Sequence, residues 1–384
     1  MFYHGYSDSN TTLPNSNILF NFRLQPIQMK RPALFRGILI VISVMAMHYT
    51  VSSQTTGNSG DGSKPKLKAL IVDGQNNHGI WPKTTAMMKD YLEQTGMFEV
   101  DVARTRFVWQ GPHNDGDPNL GEAKRKQLLS LYPVGANSDY IKTDKPTPDP
   151  DFKPHFSKYD VVISNFGWMA APWPDETQKA LEEFIADGGG FVLVHAADNS
   201  FPEWKEYNNM IAMGAWGDRN EKDGPYVYYD KSNKLVRDTT AGPAGSHGRQ
   251  HEFVITIRDT DHPITRQMPS RWLHAKDEMY DRLRGPAENM TILATAFSDV
   301  EKNASHFSPL RGTDRHEPMM MAVSYGKGRV FHTPLGHTDY SMECVGFIAM
   351  FQRACEWAST GSVTQPLPED FPREDDVSHR DWLK

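Results

Sequence analysis

Apolar residues in this chain fall in short continuous runs, separated by stretches with helical spacing. Leu67-Lys-Ala-Leu-Ile-Val-Asp73 is apolar up to a closing Asp and reads as a first strand. Thr84–Thr95 has helical periodicity and stops at Gly96. Phe98–Ala103 predicts a second strand. The polar, Pro- and Gly-rich stretch from Arg104 to Phe156 reads as a surface excursion. Tyr159–Asn165 predicts a third strand, and Asp175–Ala186 an amphipathic helix closed by Gly188-Gly-Gly190. Phe191–His195 is a fourth strand, apolar on both faces. A helix is expected over Phe201–Met213. Further strands are expected at Glu252–Arg258, Thr291–Ala296, Met319–Tyr325 and Arg329–His332, and a last helix from about Ser341 to Thr360. Continuous apolar runs alternating with helices predict an α/β fold, with a mostly parallel sheet and helices on both faces.

In such a sheet, ligands bind beyond the carboxyl ends of the strands, where the strand order reverses. A reversal between the first and third strands gathers the loops Asp73–His78 and Asn165–Trp168. The loop His195-Ala-Ala-Asp198 lies next to them. Asp73, His78, Asn165, His195 and Asp198 are therefore expected at one rim. His195 ends a buried strand and precedes two small residues, the kind of strand-to-helix turn that presents a nucleophile in hydrolases. An imidazole there can act as acid, base or metal ligand, or serve as a hydrogen-bonded structural residue. The turn carries no Cys or Ser, and the chain has no G-x-S-x-G, which disfavours covalent acyl chemistry.

Four other clusters carry candidate chemistry. In Ser246-His-Gly-Arg-Gln-His-Glu252, His247 and His251 are spaced to share one side of a helix or of a strand. With a carboxylate they could hold a divalent metal such as zinc, although the segment is not H-E-x-x-H. In His274-Ala-Lys-Asp-Glu-Met-Tyr280, Asp277 and Glu278 fit general acid–base work, or a solvated polar face. His316 and Glu317 precede a strand, and His332 and His337 follow one. Trp81, Trp168, Trp173, Trp204, Trp216 and Tyr280 offer rings for sugar stacking or for the core.

The chain has 384 residues, 38% hydrophobic and 23% charged, with a formal charge of −7. This is globular composition without the basic bias that nucleic acid requires. The length fits either two domains or one large α/β domain with insertions. Residues 29–53 combine Lys30, Arg31 and Arg36 with the apolar run Gly37–Met47 and the small residues Val51-Ser-Ser53. That pattern is a secretory signal peptide, with an N-terminal anchor as the alternative. It implies a secreted or periplasmic protein, touching a membrane only through that segment. Residues 1–28 are read as an upstream extension, with Met29 as a candidate start, and residues 54–65 as a flexible linker. The folded domain is expected over 66–361, followed by a Pro-rich tail over 362–384. Cys344 and Cys355, about 16 Å apart along a helix, are too distant for a disulfide and read as buried thiols.

Five segments, in order, resemble the ThuA-like family. They are Ala69–His78, Gly188–Ala196, Trp272–Tyr280, His316–Pro318 and Tyr325–His337. The resemblance covers about residues 66–361. It implies a flavodoxin-like, class I glutamine-amidotransferase-like fold and a link to sugar catabolism, trehalose utilisation in particular. Exported members are similar to secreted glycosyl hydrolases. The amidotransferase Cys is replaced, because the turn reads His195-Ala196-Ala197, so glutamine hydrolysis is not expected. The leading expectation is a hydrolase or isomerase of a glycoside or keto-glycoside. Its acid–base groups would be His195, Asp277, Glu278 and His337. Asp73, His78, Asn165, Trp168, Tyr280, His316 and Glu317 would bind substrate, and His247 and His251 a metal. The alternatives are a non-catalytic sugar-binding protein and a metal-dependent hydrolase of another substrate class.

Overall fold

Strand β1 (Leu67–His78) lies between two parallel neighbours, β2 (Phe98–His113) and β4 (Val161–Ser164). The strand order therefore reverses at β1. The computed structural model describes residues 65–113 and 140–382, which fall within the unit Ser63–Lys384. The upstream extension, the candidate signal segment and nearly all of the linker lie outside the described residues, as do positions 114–139 of the expected surface excursion.

The remaining elements are β3 (Ile141–Lys142), α2 (Asp175–Ala186), β5 (Gly190–Val194), α3 (Lys205–Ile211), β6 (Tyr226–Tyr229), β7 (Leu235–Asp238), β8 (His251–Ile257), β9 (Arg271–Asp277), β10 (Met290–Phe297), β11 (His316–Tyr325), β12 (Gly328–Thr333), α4 (Asp339–Met342) and α5 (Val345–Thr360). Helix α1 (Trp81–Gln94) joins β1 to β2. The sheet runs β3-β2-β1-β4-β5-β12-β11-β10-β8-β9, and β6 and β7 branch from β11. Pairs from β3 to β12 are parallel. Pairs from β12 to β9 are antiparallel. The expectation of a mostly parallel sheet is thus corrected to a mixed α/β sheet with two halves. Strands β11 and β12 are joined by two residues, too few for the crossover that parallel pairing needs.

Side chains of the parallel strands alternate between two cores. Ala69, Ile71, Val161, Ile163, Val192 and Val194 face one core with Met87, Met88 and Tyr91 of α1 and Phe347, Ile348 and Phe351 of α5. Leu70, Val72, Val162, Phe191 and Leu193 face the other with Leu181 and Ile185 of α2 and Tyr207 and Met210 of α3. Burying each such side chain contributes roughly 1.5–3 kcal/mol. Helix α5 ends where Gly361 takes φ +78 and donates its N–H to Trp357 at 2.7 Å.

Strands β1 and β2 run longer than their sequence suggests. The residues read as a loop, Asp73–His78, continue β1 through two irregularities, and β2 extends to His113 instead of ending at Ala103. Gly111 makes this possible: a Cβ there would sit 2.2 Å from Asn77 Cα. Beyond α5 the tail is extended and lays Leu367, Phe371, Val377 and Trp382 against the first core. Cys344 and Cys355 are both free and buried.

Candidate functional site

Strand β5 ends at Val194 and the chain turns sharply at the next residue. His195 takes φ +48 and opens a single 3-10 turn, His195–Asn199. A non-glycine residue in this region costs on the order of 1–3 kcal/mol and persists only where its surroundings enforce it. The buried Ala196 and Ala197 let the turn pack tightly. His195 Nδ1 lies 2.8 Å from the Pro334 carbonyl, so Nδ1 carries the proton and donates it. Nε2 then turns its lone pair toward the Tyr280 hydroxyl at 3.1 Å. Burial, with His337 and His78 nearby, holds His195 well below its usual value and keeps it neutral. Burial raises Tyr280 well above the usual phenol range, with the carboxylates of Glu278 and Asp198 adding to it.

The adjacent carboxylates at the end of β9 part company. Asp277 accepts from His274 Nε2 (2.8 Å), the Gly336 amide (2.8 Å), the His337 amide (3.1 Å) and the Glu278 amide (2.8 Å). Burial would raise Asp277, but His274 and these donors more than offset it and hold it at about 2. Burial would likewise lower His274, but Cys344 and Asp277 carry it up to about 9. Asp277 therefore braces the loop that carries His337, and it is not among the described residues lining the cleft. Glu278 faces the cleft. Its Oε1 is 3.4 Å from His337 Nε2 and 3.6 Å from His247 Nδ1, and its Oε2 is 3.8 Å from His195 Nε2.

His78, from the extended end of β1, completes the floor. Its Nδ1 is 3.1 Å from His337 Nε2, and its Nε2 is 3.0 Å from the Asn77 amide. Gln250 contacts His337 Nδ1 at 2.9 Å on the far side. One donor atom from each of His78, His195, His337 and Glu278 falls within 4.8 Å of the others, and all four residues are buried. Above them opens a cleft of about 430 Å³, walled by Trp168, Trp216, Tyr280, His247 and Phe307. Asn199 also lines it, and its buried Oδ1 has no hydrogen-bond partner among the described residues. Trp168 sits on the rim, 37% exposed. Burial is the main reason that His247 is lowered to about 3.

Of the sequence candidates, Asp73, His251, His316 and Glu317 do not line this cleft, whereas Asn165 borders a small cavity that His78, His195 and His337 also line. Asp73 forms a buried bidentate pair with Arg104, both contacts 2.8 Å, and also accepts from Thr85. The Asn165 amide is spent on the Trp81 carbonyl and on the Thr84 and Thr85 hydroxyls, which ties β4 to α1. His316 packs on Phe297, and Glu317 accepts from Thr313 and Arg315. Neither His316 nor Glu317 borders the cleft. His251 packs on Phe253, and its Nδ1 meets the Arg249 carbonyl. His247 lines the cleft without it, so the expected His247–His251 metal pair does not assemble. The reason is that His251 begins β8, while His247 lies in the irregular segment before it. Asn77, Asn199 and Gln250 were not among the expected residues. Each is close in sequence to one that was: Asn77 beside His78, Asn199 in the turn of His195, and Gln250 between His247 and His251.

The family model described as ThuA, trehalose utilisation, matches residues 123–358. A comparison with curated proteins finds no match. Among solved structures, a ThuA-like protein from Parabacteroides merdae is 39% identical, covering 82% of this chain and 98% of its own, with a TM-score of 0.66. A ThuA-like protein from Bacteroides uniformis is 14% identical, covering 80% and 97%, with a TM-score of 0.46. The family match and the 39% identity over nearly all of the Parabacteroides chain lead to one conclusion: this chain belongs to the ThuA family, whose description ties it to trehalose utilisation.

Proposed function

We propose that this protein is an exported enzyme that hydrolyses or isomerises a keto-glycoside in the cleft above His78, His195, Glu278 and His337. The observation that carries the reading is that Glu278 is the one carboxylate among the described residues lining the cleft, and it stands among imidazoles. A glycosidase working through an oxocarbenium-like transition state uses two carboxyl groups across the scissile bond. A single carboxylate suits a different task, removal of the acidic proton beside a ketone. Glu278 would take that proton. The Tyr280 hydroxyl, turned from His195, would donate to the ketone oxygen as negative charge develops there. Returning the proton to the neighbouring carbon isomerises the sugar. Expulsion of the β-alkoxy group, which takes up the proton held on Glu278, followed by addition of water to the resulting enone, cleaves the glycoside.

Trp168 and Trp216 give faces on which a sugar ring can stack, and Asn199 Oδ1 gives an acceptor for a sugar hydroxyl. The basic and apolar pattern at 29–53 supports export. The test is to incubate the full chain with trehalose, other disaccharides and their keto-glycosides in deuterated water, and to follow products and deuterium uptake by NMR. Deuterium entry beside the ketone, lost in Glu278→Gln, is the expected result. Sugar binding with neither exchange nor product would leave a binding module instead.

A further inference from the structure

We propose that His78, His195, His337 and Glu278 bind one divalent first-row transition-metal ion, of the zinc and cobalt class, at the cleft floor. The proposal deepens the keto-glycoside reading, but it stands on geometry that does not depend on the sugar. Four donor atoms from three imidazoles and a carboxylate converge within 4.8 Å, and they come from four separate places in the chain. Imidazole-rich donor sets select zinc, cobalt, iron or nickel over magnesium and calcium, which prefer oxygen.

The surrounding contacts orient the donors. His195 Nδ1 donates to the Pro334 carbonyl, the outer hydrogen bond that ligating histidines characteristically make, and this leaves Nε2 as the donor atom. His78 Nδ1 and His337 Nε2 are 3.1 Å apart. Ring nitrogens this close share either a proton or a cation. Glu278 Oε1, 3.4 Å from the same His337 nitrogen, brings the negative charge that favours a cation. His78 and Glu278 also line the cleft, so an ion held by the four residues would be within reach of a substrate there. There an ion would supply positive charge to a ketone oxygen. This quartet differs from the pair suggested by sequence spacing, since His251 takes no part.

The full chain, stripped with chelator and dialysed, is titrated without sugar against Zn²⁺, Co²⁺ and Mg²⁺. Bound metal is measured by mass spectrometry, and the Co²⁺ site by visible absorption. The expected result is about one Zn²⁺ or Co²⁺ per chain, with visible Co²⁺ bands and no retained Mg²⁺. Loss of a ligand in His337→Gln or Glu278→Gln should weaken Zn²⁺ binding by about tenfold or more, while His251→Gln leaves it unchanged. Folded protein that retains neither Zn²⁺ nor Co²⁺ would overturn the proposal, as would equal retention by the parent and His337→Gln. Should the variants misfold, the Co²⁺ spectrum of the unaltered chain decides: bands support the site and a featureless spectrum removes it. Because uptake is read without sugar, failure of the metal result and failure of the sugar result are separate events.

Discussion

Tyr280 Oη lies 3.1 Å from His195 Nε2, and the two residues come from opposite halves of the sheet. His195 follows β5 in the parallel half, and Tyr280 follows β9 at the antiparallel edge. Their contact closes the cleft floor. Tyr280→Phe keeps the ring that packs on Trp216 and removes only the hydroxyl. On a keto-glycoside substrate its kcat should fall by about 10²-fold, with little change in thermal stability. Unchanged kcat would take the hydroxyl out of the chemistry.

Asp277 and Glu278 are sequence neighbours with opposite tasks. Asp277→Asn removes the charge that pairs with buried His274 and replaces an acceptor oxygen with a donor. Breaking such a pair costs about 3–5 kcal/mol. Glu278→Gln should leave stability nearly unchanged and abolish turnover. Urea melts of both variants check this, and equal destabilisation would contradict the division.

Asp73 pairs with Arg104, and both side chains are fully buried. Asp73→Asn should therefore destabilise the fold by about 3–5 kcal/mol. It should leave KM for sugar within about twofold, the size of an ordinary context effect below 0.5 kcal/mol. A large rise in KM without loss of stability would restore the substrate-binding role expected from sequence.

His316 is lowered from 6.5 to about 4, by burial first and then by Arg258 and Arg271. Between these values the unfolded chain holds a proton that the folded chain does not. The contribution is therefore intact above about pH 6.5 and is lost as pH falls toward 4. His316→Gln should lose less stability than the parent between pH 7 and pH 4.5, read as a shift in the urea midpoint. Parallel pH dependence in the two proteins would remove this assignment.

Much of this was legible where local chemistry and tertiary structure agree. Helix Asp175–Ala186 was readable to its ends because proline precedes it and glycines follow it. Strand β9 was not, because Lys276 and Asp277 break its apolar alternation and invite a reading as a polar face. The long ends of β1 and β2 were hidden by Gly, Asn and Gln, which locally favour loops. In the site, His78, His195, Glu278 and His337 were each visible at strand ends or in adjacent loops. Their separation from Asp277 was not, because it depends on which way each side chain turns at the end of one strand. The His247–His251 pairing failed for the same reason: its spacing assumed a regular element that begins only at His251.

The His78–His337 contact joins residues 259 positions apart. A chain emerging from the ribosome therefore exposes His78 long before its counterpart exists. The floor cannot close until β12 has docked between β5 and β11, a pairing of high contact order that belongs to the slow part of folding. Until then His337 has no fixed place beside His78. The four-residue floor is therefore completed last, once β12 is in place.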